Sequence, residues 1–255
     1  MSQHVHVTTA DHITTVRLDR PDKKNAITLE MYAALADALE AAAGDAAVRA
    51  VVLGGSRDCF TAGNDLGDFL RAAQGGGGEH PRALAFLRNL AAFDKPLVAG
   101  VAGVAIGIGT TMLLHCDLVY AAPSARFKTP FVDLALVPEA GSSVLLPALV
   151  GARRAAQLLL LGEQLDAPTA LDWGLINAVV DDPDAAAATA ARRLAGCAPG
   201  ALRATRALTR RATREAVLEA MRVEGEVFSE RLRSPEAIEA FQAFMARRPP
   251  DFSRF

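Results

Sequence analysis

Three places in the 255-residue sequence hold residue types that could do chemistry. Two are glycine-bearing junctions between a short apolar run and a helix start: Phe60-Thr61-Ala62-Gly63-Asn64-Asp65-Leu66 and Ala105-Ile106-Gly107-Ile108-Gly109-Thr110-Thr111. Glycine lets the backbone come close to a ligand, and the first N–H groups of a helix have no partner within it. Either junction could therefore hold an oxyanion, although each taken singly also reads as a plain turn. The third place is Glu139, in Pro138-Glu139-Ala140-Gly141-Ser142-Ser143. Flanked by Phe131, Leu134, Val137 and Ala140, its carboxylate should be poorly solvated, and desolvation would raise its basicity, as removal of a proton from carbon requires. By residue type alone, however, a loop glutamate is most often an exposed one.

Other motifs fail on spacing. Gly107 and Gly109 supply a GxG, but the third glycine of a dinucleotide fingerprint would fall at Met112. Gly141-Ser142-Ser143 lacks the GxSxG of a nucleophile elbow. His115 reads as packing at a helix end, and His4 and His6 as a tail. Cys59, Cys116 and Cys197 are far apart, with no CxxC pair and no histidine at ligand spacing, so no metal site is expected and the cysteines read as reduced thiols. A formal net charge of -2 gives no reason to expect nucleic acid or an anionic membrane surface, and no apolar run is long enough to span a bilayer. The arginines after Arg192 alternate with Glu and apolar residues like a solvated helix face. A cytoplasmic protein is expected.

The elements that must position these residues follow from periodicity. Ile13–Leu18 alternates like a strand and stops at Arg20-Pro21. Thr28 is a helix N-cap; Met31, Leu35 and Leu39 fall at i, i+4, i+8, and Gly44 closes the helix. Val48 to Leu53, Leu97 to Val101 and Asp117 to Ala121 are short apolar runs expected as buried strands. Helices are expected near 65–73, over 81–93 and over 110–115, with Gly75 to Gly78 as a connector. From Pro183 onward strand signals vanish and three or four helices run to Arg248. The recurring strand-loop-helix unit suggests stacked turns rather than a doubly wound sheet.

Five segments in order carry a resemblance: Arg20-Pro21 through Asn25-Ala26-Ile27, Phe60 to Leu66, Lys95-Pro96 to Asp117, Phe127 to Gly141, and Gly162 to Val180. Together they resemble the crotonase (enoyl-CoA hydratase/isomerase) superfamily over nearly the whole chain. The resemblance implies an α/β fold: a ββα spiral core over 1–195 with the acyl-CoA site, then a C-terminal helical segment, 196–255, that drives assembly into a homotrimer or a dimer of trimers. It implies an acyl-CoA thioester as substrate, with coenzyme A part of that substrate and no separate cofactor. The backbone N–H groups of Asn64 and Ile108 would form the oxyanion hole. Lys23, Lys24, Ala62, Asp65 and Leu66 would meet the CoA moiety, and Phe69, Phe131, Leu134 and Val137 the acyl chain. Phe244, Arg247 and Arg248 match a tail that reaches a CoA in relatives.

The same resemblance bears on the reaction. True hydratases of the family carry two glutamates, at the places held here by Thr111 and Phe131, neither of which can exchange a proton at neutral pH. Glu139 matches instead the lone catalytic glutamate of the peroxisomal-type Δ3,Δ2-enoyl-CoA isomerases. One carboxylate suffices for a 1,3-proton shift within fatty-acid or related acyl-CoA metabolism. A hydratase or another crotonase-type reaction is the alternative, and a non-catalytic acyl-CoA-binding protein is the alternative of another class.

Overall fold

The computed structural model describes residues 2–74 and 81–255, without the side chains of residues 69 and 72–74. The expected connector at Gly75 to Gly78 lies outside the described residues. The chain opens with a hairpin of β1 (Val5–Ala10) and β2 (Ile13–Leu18), then α1 (Leu29–Gly44), β3 (Ala50–Gly54), α2 (Leu66–Gln74), α3 (Pro81–Ala92), β4 (Leu97–Val101) and β5 (Val104–Ile106). Next come α4 (Ile108–Thr111), running into a 3-10 turn at Met112–His115, then β6 (Leu118–Ala121) and β7 (Arg126–Lys128). α5 (Ser142–Val150), α6 (Ala152–Leu159), β8 (Leu165–Asp166), α7 (Ala167–Asp172) and β9 (Ala178–Val179) follow. The helices α8 (Pro183–Ala195), α9 (Pro199–Arg210), α10 (Arg214–Arg231) and α11 (Pro235–Met245) complete the chain.

The strand order makes the spiral visible. Among the described residues one sheet runs β1-β2-β3-β4-β6-β9 and a second runs β5-β7-β8. From β2 to β9 each neighbour in the first sheet is parallel, and each is separated from the last by a loop and helix. Single parallel bridges, Ile27 with Asn64 and Thr61 with Ala105, continue the second layer next to the parallel β5–β7 pair. Each turn thus lays one strand in one layer and a short extended piece in the other.

Burial on both faces explains the unbroken apolar runs of β3 and β4. Val51, Leu53, Leu97 and Ala99 face a core shared with Met31, Leu35 and Leu39 of α1 and with Phe86 and Leu90 of α3. Ala50, Val52 and Val98 point the other way, against Ala187, Ala191 and Ala195 of α8. That alanine stripe at i, i+4, i+8 brings α8 so close that a Cβ at Gly100 would lie 2.9 Å from Pro183 O. Thr28 caps α1 by accepting Met31 N–H at 3.3 Å.

Two expectations need correction. The N-terminal residues around His6 are not a tail but the edge strand β1, with His6 opposite Arg17 and its ring 3.2 Å from Asp19. Beyond Val5 every residue of β1 is exposed, so its sequence carries no apolar alternation to find. The C-terminal arginines are not all solvated either. Arg206 is 7% exposed and ion-paired to Asp117, which also pairs with Arg210 and accepts Leu97 N–H.

Candidate active site

The two glycine junctions are stitched to one another by backbone hydrogen bonds. Thr61 N–H donates to Val104 O at 2.9 Å and Ile106 N–H donates to Thr61 O at 3.0 Å. Buried Asn25 holds the first junction from behind, its Nδ2 donating to Cys59 O and Phe60 O at 2.8 and 3.0 Å. Thr61 Oγ1 donates to Asn25 O at 2.6 Å and accepts Gly63 N–H at 3.0 Å. Tyr32 of α1 donates to Asn64 Oδ1 at 2.6 Å, which fixes the side chain and leaves the peptide as the group to present.

Glycine is required where these segments touch. Gly63 has φ of 89°, and a Cβ there would be 2.7 Å from Ile106 O; a Cβ at Gly109 would be 2.6 Å from Thr61 Cγ2. Gly107, at φ 56°, turns the chain into α4, whose first residue is Ile108. Among the described residues, neither Asn64 N–H nor Ile108 N–H donates to a backbone carbonyl in a turn, loop or cap. Peptide donors on two junctions tied to one another by hydrogen bonds could serve an oxygen that gains charge.

Glu139 is 5% exposed, so the reading of an exposed loop acid does not hold. Thr111 Oγ1 donates to its Oε1. Thr111 stands three residues after Ile108 on α4, roughly 4.5 Å along the helix axis, so one short helix carries both a cradle N–H and the carboxylate's partner. The turn beneath Glu139 is gripped as well. Ser142 Oγ donates to Glu139 O at 2.6 Å, and His115 Nε2 meets Ala140 O at 2.8 Å. A carbonyl can only accept, so the proton sits on Nε2. Burial, opposed by the Ala140 hydrogen bond and reinforced by the Arg210 and Arg206 charges, pushes the His115 pKa down to about 4, so the ring is neutral.

The walls divide between two cavities. One, of about 400 Å³, is lined by Ala62, Gly63, Asn64, Leu66, Phe131 and Leu134, and the tail closes it with Phe244, Arg248 and Pro250. Glu139 lines the other, of about 610 Å³, with Leu84 and Leu87 of α3 and Leu218 and Met221 of α10. Asn64 of the first junction thus lines one cavity and Glu139 the other, while α4 carries both Ile108 and Thr111, the carboxylate's partner. Arg248 and Arg254 both pair with buried Glu239, which also accepts Asp251 N–H; the Arg248 hydrogen bond leads in holding this carboxyl down to about 2 and pins the tail.

The remaining residues singled out in the sequence fall as follows. Lys23 and Lys24 are exposed, and Lys24 O accepts Ala62 N–H at 2.8 Å. The Asp65 side chain pairs with Arg20 at 2.8 Å and accepts Gly67 N–H; burial opposes its ionisation, but Arg20 and the Asp68 and Gly67 N–H groups together lower the pKa. Val137 packs half-buried against the core and lines neither cavity. The Phe69 side chain lies outside what is described. Sequence reasoning missed the parts played by Thr111 and His115; their i, i+4 spacing after the second glycine junction was the available signal.

Comparison with known proteins agrees with this architecture. A family model described as Enoyl-CoA hydratase/isomerase matches residues 8–254. Enoyl-CoA delta isomerase 2 of Rattus norvegicus is 36% identical over 97% of this chain, which spans 65% of that protein's length. The 1,2-epoxyphenylacetyl-CoA isomerase of Escherichia coli K12 is 35% identical over 94% of this chain and 95% of its own. The solved structure of OdaA from Pseudomonas aeruginosa superposes with a TM-score of 0.92 at 45% identity, covering 96% of this chain and 99% of that one.

Proposed function

The chain belongs to the enoyl-CoA hydratase/isomerase family, and from that premise we propose that it is a Δ3,Δ2-enoyl-CoA isomerase with Glu139 as its one proton carrier. The observation that carries the reading is the buried Glu139 carboxylate held by Thr111 of α4, the helix that begins at Ile108. The thioester oxygen rests on the N–H groups of Asn64 and Ile108. Glu139 takes a proton from C2, the electrons move into the carbonyl to give a dienolate, and the two N–H groups stabilise its oxygen. Glu139 then returns the same proton to C4, leaving the conjugated thioester with atoms and charge balanced. Each peptide donor contributes about 3 kcal/mol at the transition state.

Hydration needs a second group to orient and deprotonate water, and Thr111 and Phe131 occupy the places where hydratases of the family carry their glutamates. The likeness to a delta isomerase supports the same choice. Ala62 and Leu66 border the CoA end, and Phe131 and Leu134 the acyl end; Lys23 and Lys24 offset phosphate charge. Residues 196–255 serve assembly into trimers, a reading supported by Leu208, Leu218 and Val223, which α9 and α10 leave exposed.

The test is Glu139→Gln assayed on a 3-enoyl-CoA. We expect turnover to fall by several orders of magnitude with thioester binding retained, and the wild type to leave 2-enoyl-CoA unhydrated. Hydration of 2-enoyl-CoA without isomerisation of the 3-enoyl substrate refutes the isomerase. Binding with no change on substitution makes the protein an acyl-CoA binder.

A further inference from the structure

A second carboxylate reaches the Glu139 turn from the C-terminal helices. Glu224 of α10 is 7% exposed, and each of its oxygens accepts a backbone N–H: Gly141 at 2.6 Å and Ser143 at 2.9 Å. Those N–H groups lie at the start of α5, two and four residues after Glu139. The turn is a demanding one, because Ala140 and Gly141 both hold positive φ, at 59° and 71°. For alanine this conformation costs about 1–2 kcal/mol, so the turn keeps its shape only while something outside it holds it. α10 also fills the space where a side chain on Gly141 would go, with Val217 Cγ1 2.9 Å from the site of a Cβ.

We propose that Glu224 is a positioning residue that fixes the Ala140–Gly141 turn from α10 and so aims Glu139 at the substrate carbon, without exchanging a proton itself. The inference rests on Glu139 being the base. Glu224 lines the same cavity as Glu139, which would invite a two-glutamate hydratase reading, but its geometry argues otherwise. Both of its oxygens are taken up as acceptors of peptide N–H groups, which holds the carboxylate against the backbone of the turn. The arrangement also joins the segment assigned to assembly to the aim of the base.

Steady-state kinetics of Glu224→Ala and Glu224→Gln, each alone and with Glu139→Gln, separate aiming from simple helix capping. We expect Glu224→Ala to lower kcat on the order of 100-fold, the usual result of about 1 Å of misplacement, with KM changed by less than about threefold. Glu224→Gln keeps one acceptor and should lose less, which also serves if the alanine variant does not fold. In the Glu139→Gln background, Glu224→Ala should leave the residual rate within about twofold, because there is no base left to aim. A fall in melting temperature with kcat unchanged, or the same rate loss in both backgrounds, overturns the proposal. Should the wild type not isomerise 3-enoyl-CoA, the isomerase reading fails separately. Exchange of the C2 protons of a saturated acyl-CoA into deuterium oxide then measures Glu139's aim directly, and an exchange rate unchanged in Glu224→Gln overturns the positioning role.

Discussion

Replacing Gly109 with alanine should disable the carbonyl cradle from within the start of α4. A Cβ at Gly109 would stand 2.6 Å from Thr61 Cγ2 and 3.1 Å from Thr61 O, where ordinary contact begins at 3.4 Å, so about 0.8 Å must open (3.4 − 2.6). Thr61 cannot yield by rotating, because it is fully buried and its Oγ1 is bound to both Asn25 O and Gly63 N–H. The start of α4 must therefore retreat and carry the neighbouring Ile108 N–H with it. A donor distance of about 3 Å lengthened by that much is no longer a hydrogen bond. Loss of one oxyanion donor costs about 2.7–4 kcal/mol, or on the order of 100- to 1,000-fold in kcat. Overpacking should also cost about 1–3 kcal/mol of stability, at about 2–4 °C per kcal/mol for a chain of this size. The assay is steady-state isomerisation of a 3-enoyl-CoA well below the melting temperature, with Gly44→Ala as control, since nothing lies within 4 Å of a Cβ there. A folded Gly109→Ala enzyme with wild-type kcat would refute the assignment of Ile108 N–H to the oxyanion hole.

Three further predictions follow from the same contacts. Thr111→Val keeps the shape of a fully buried side chain but removes the hydroxyl that donates to Glu139; kcat should fall about 10- to 100-fold with KM nearly unchanged, and an undiminished kcat would dismiss Thr111 as an orienting group. His115, held neutral with its pKa lowered from 6.5 to about 4, makes stability depend on pH. Between those values the unfolded chain takes up a proton that the folded chain refuses, so stability falls as pH drops from 6.5 toward 4, and the group contributes nothing to the slope above that window. Unfolding free energy measured across the window should show a shallower slope for His115→Gln, and identical slopes would contradict this account. Asp117→Asn removes the charge facing buried Arg206 and half-buried Arg210, which should cost about 3–5 kcal/mol in chemical denaturation; a loss below about 1 kcal/mol would mean that these ion pairs do not hold α9 in place.

The parts of the fold that were legible in the sequence are those set by local pattern. The cap at Thr28, the apolar stripe of α1 and the unbroken runs of β3 and β4 each sit in a handful of adjacent residues, where periodicity reports burial directly. The edge strand β1 escaped notice because its exposed residues carry no alternation, and the buried arginine of α9 because its partner Asp117 is distant in the chain.

The site divides along the same line. Glycine spacing is a local property, so the sequence alone determined that two junctions could present peptide N–H groups, whereas Glu139 was singled out by the resemblance and not by its residue type. The sequence could not decide whether Glu139 was exposed, nor what held it. Only the tertiary structure places Thr111, His115 and Glu224 around one turn, at sequence separations of 28, 25 and, from Gly141, 83 residues. A carboxylate's worth as a base depends on desolvation and aim. Both are fixed here by side chains from α4, the 3-10 turn after it and α10 closing on a loop whose own sequence names none of them.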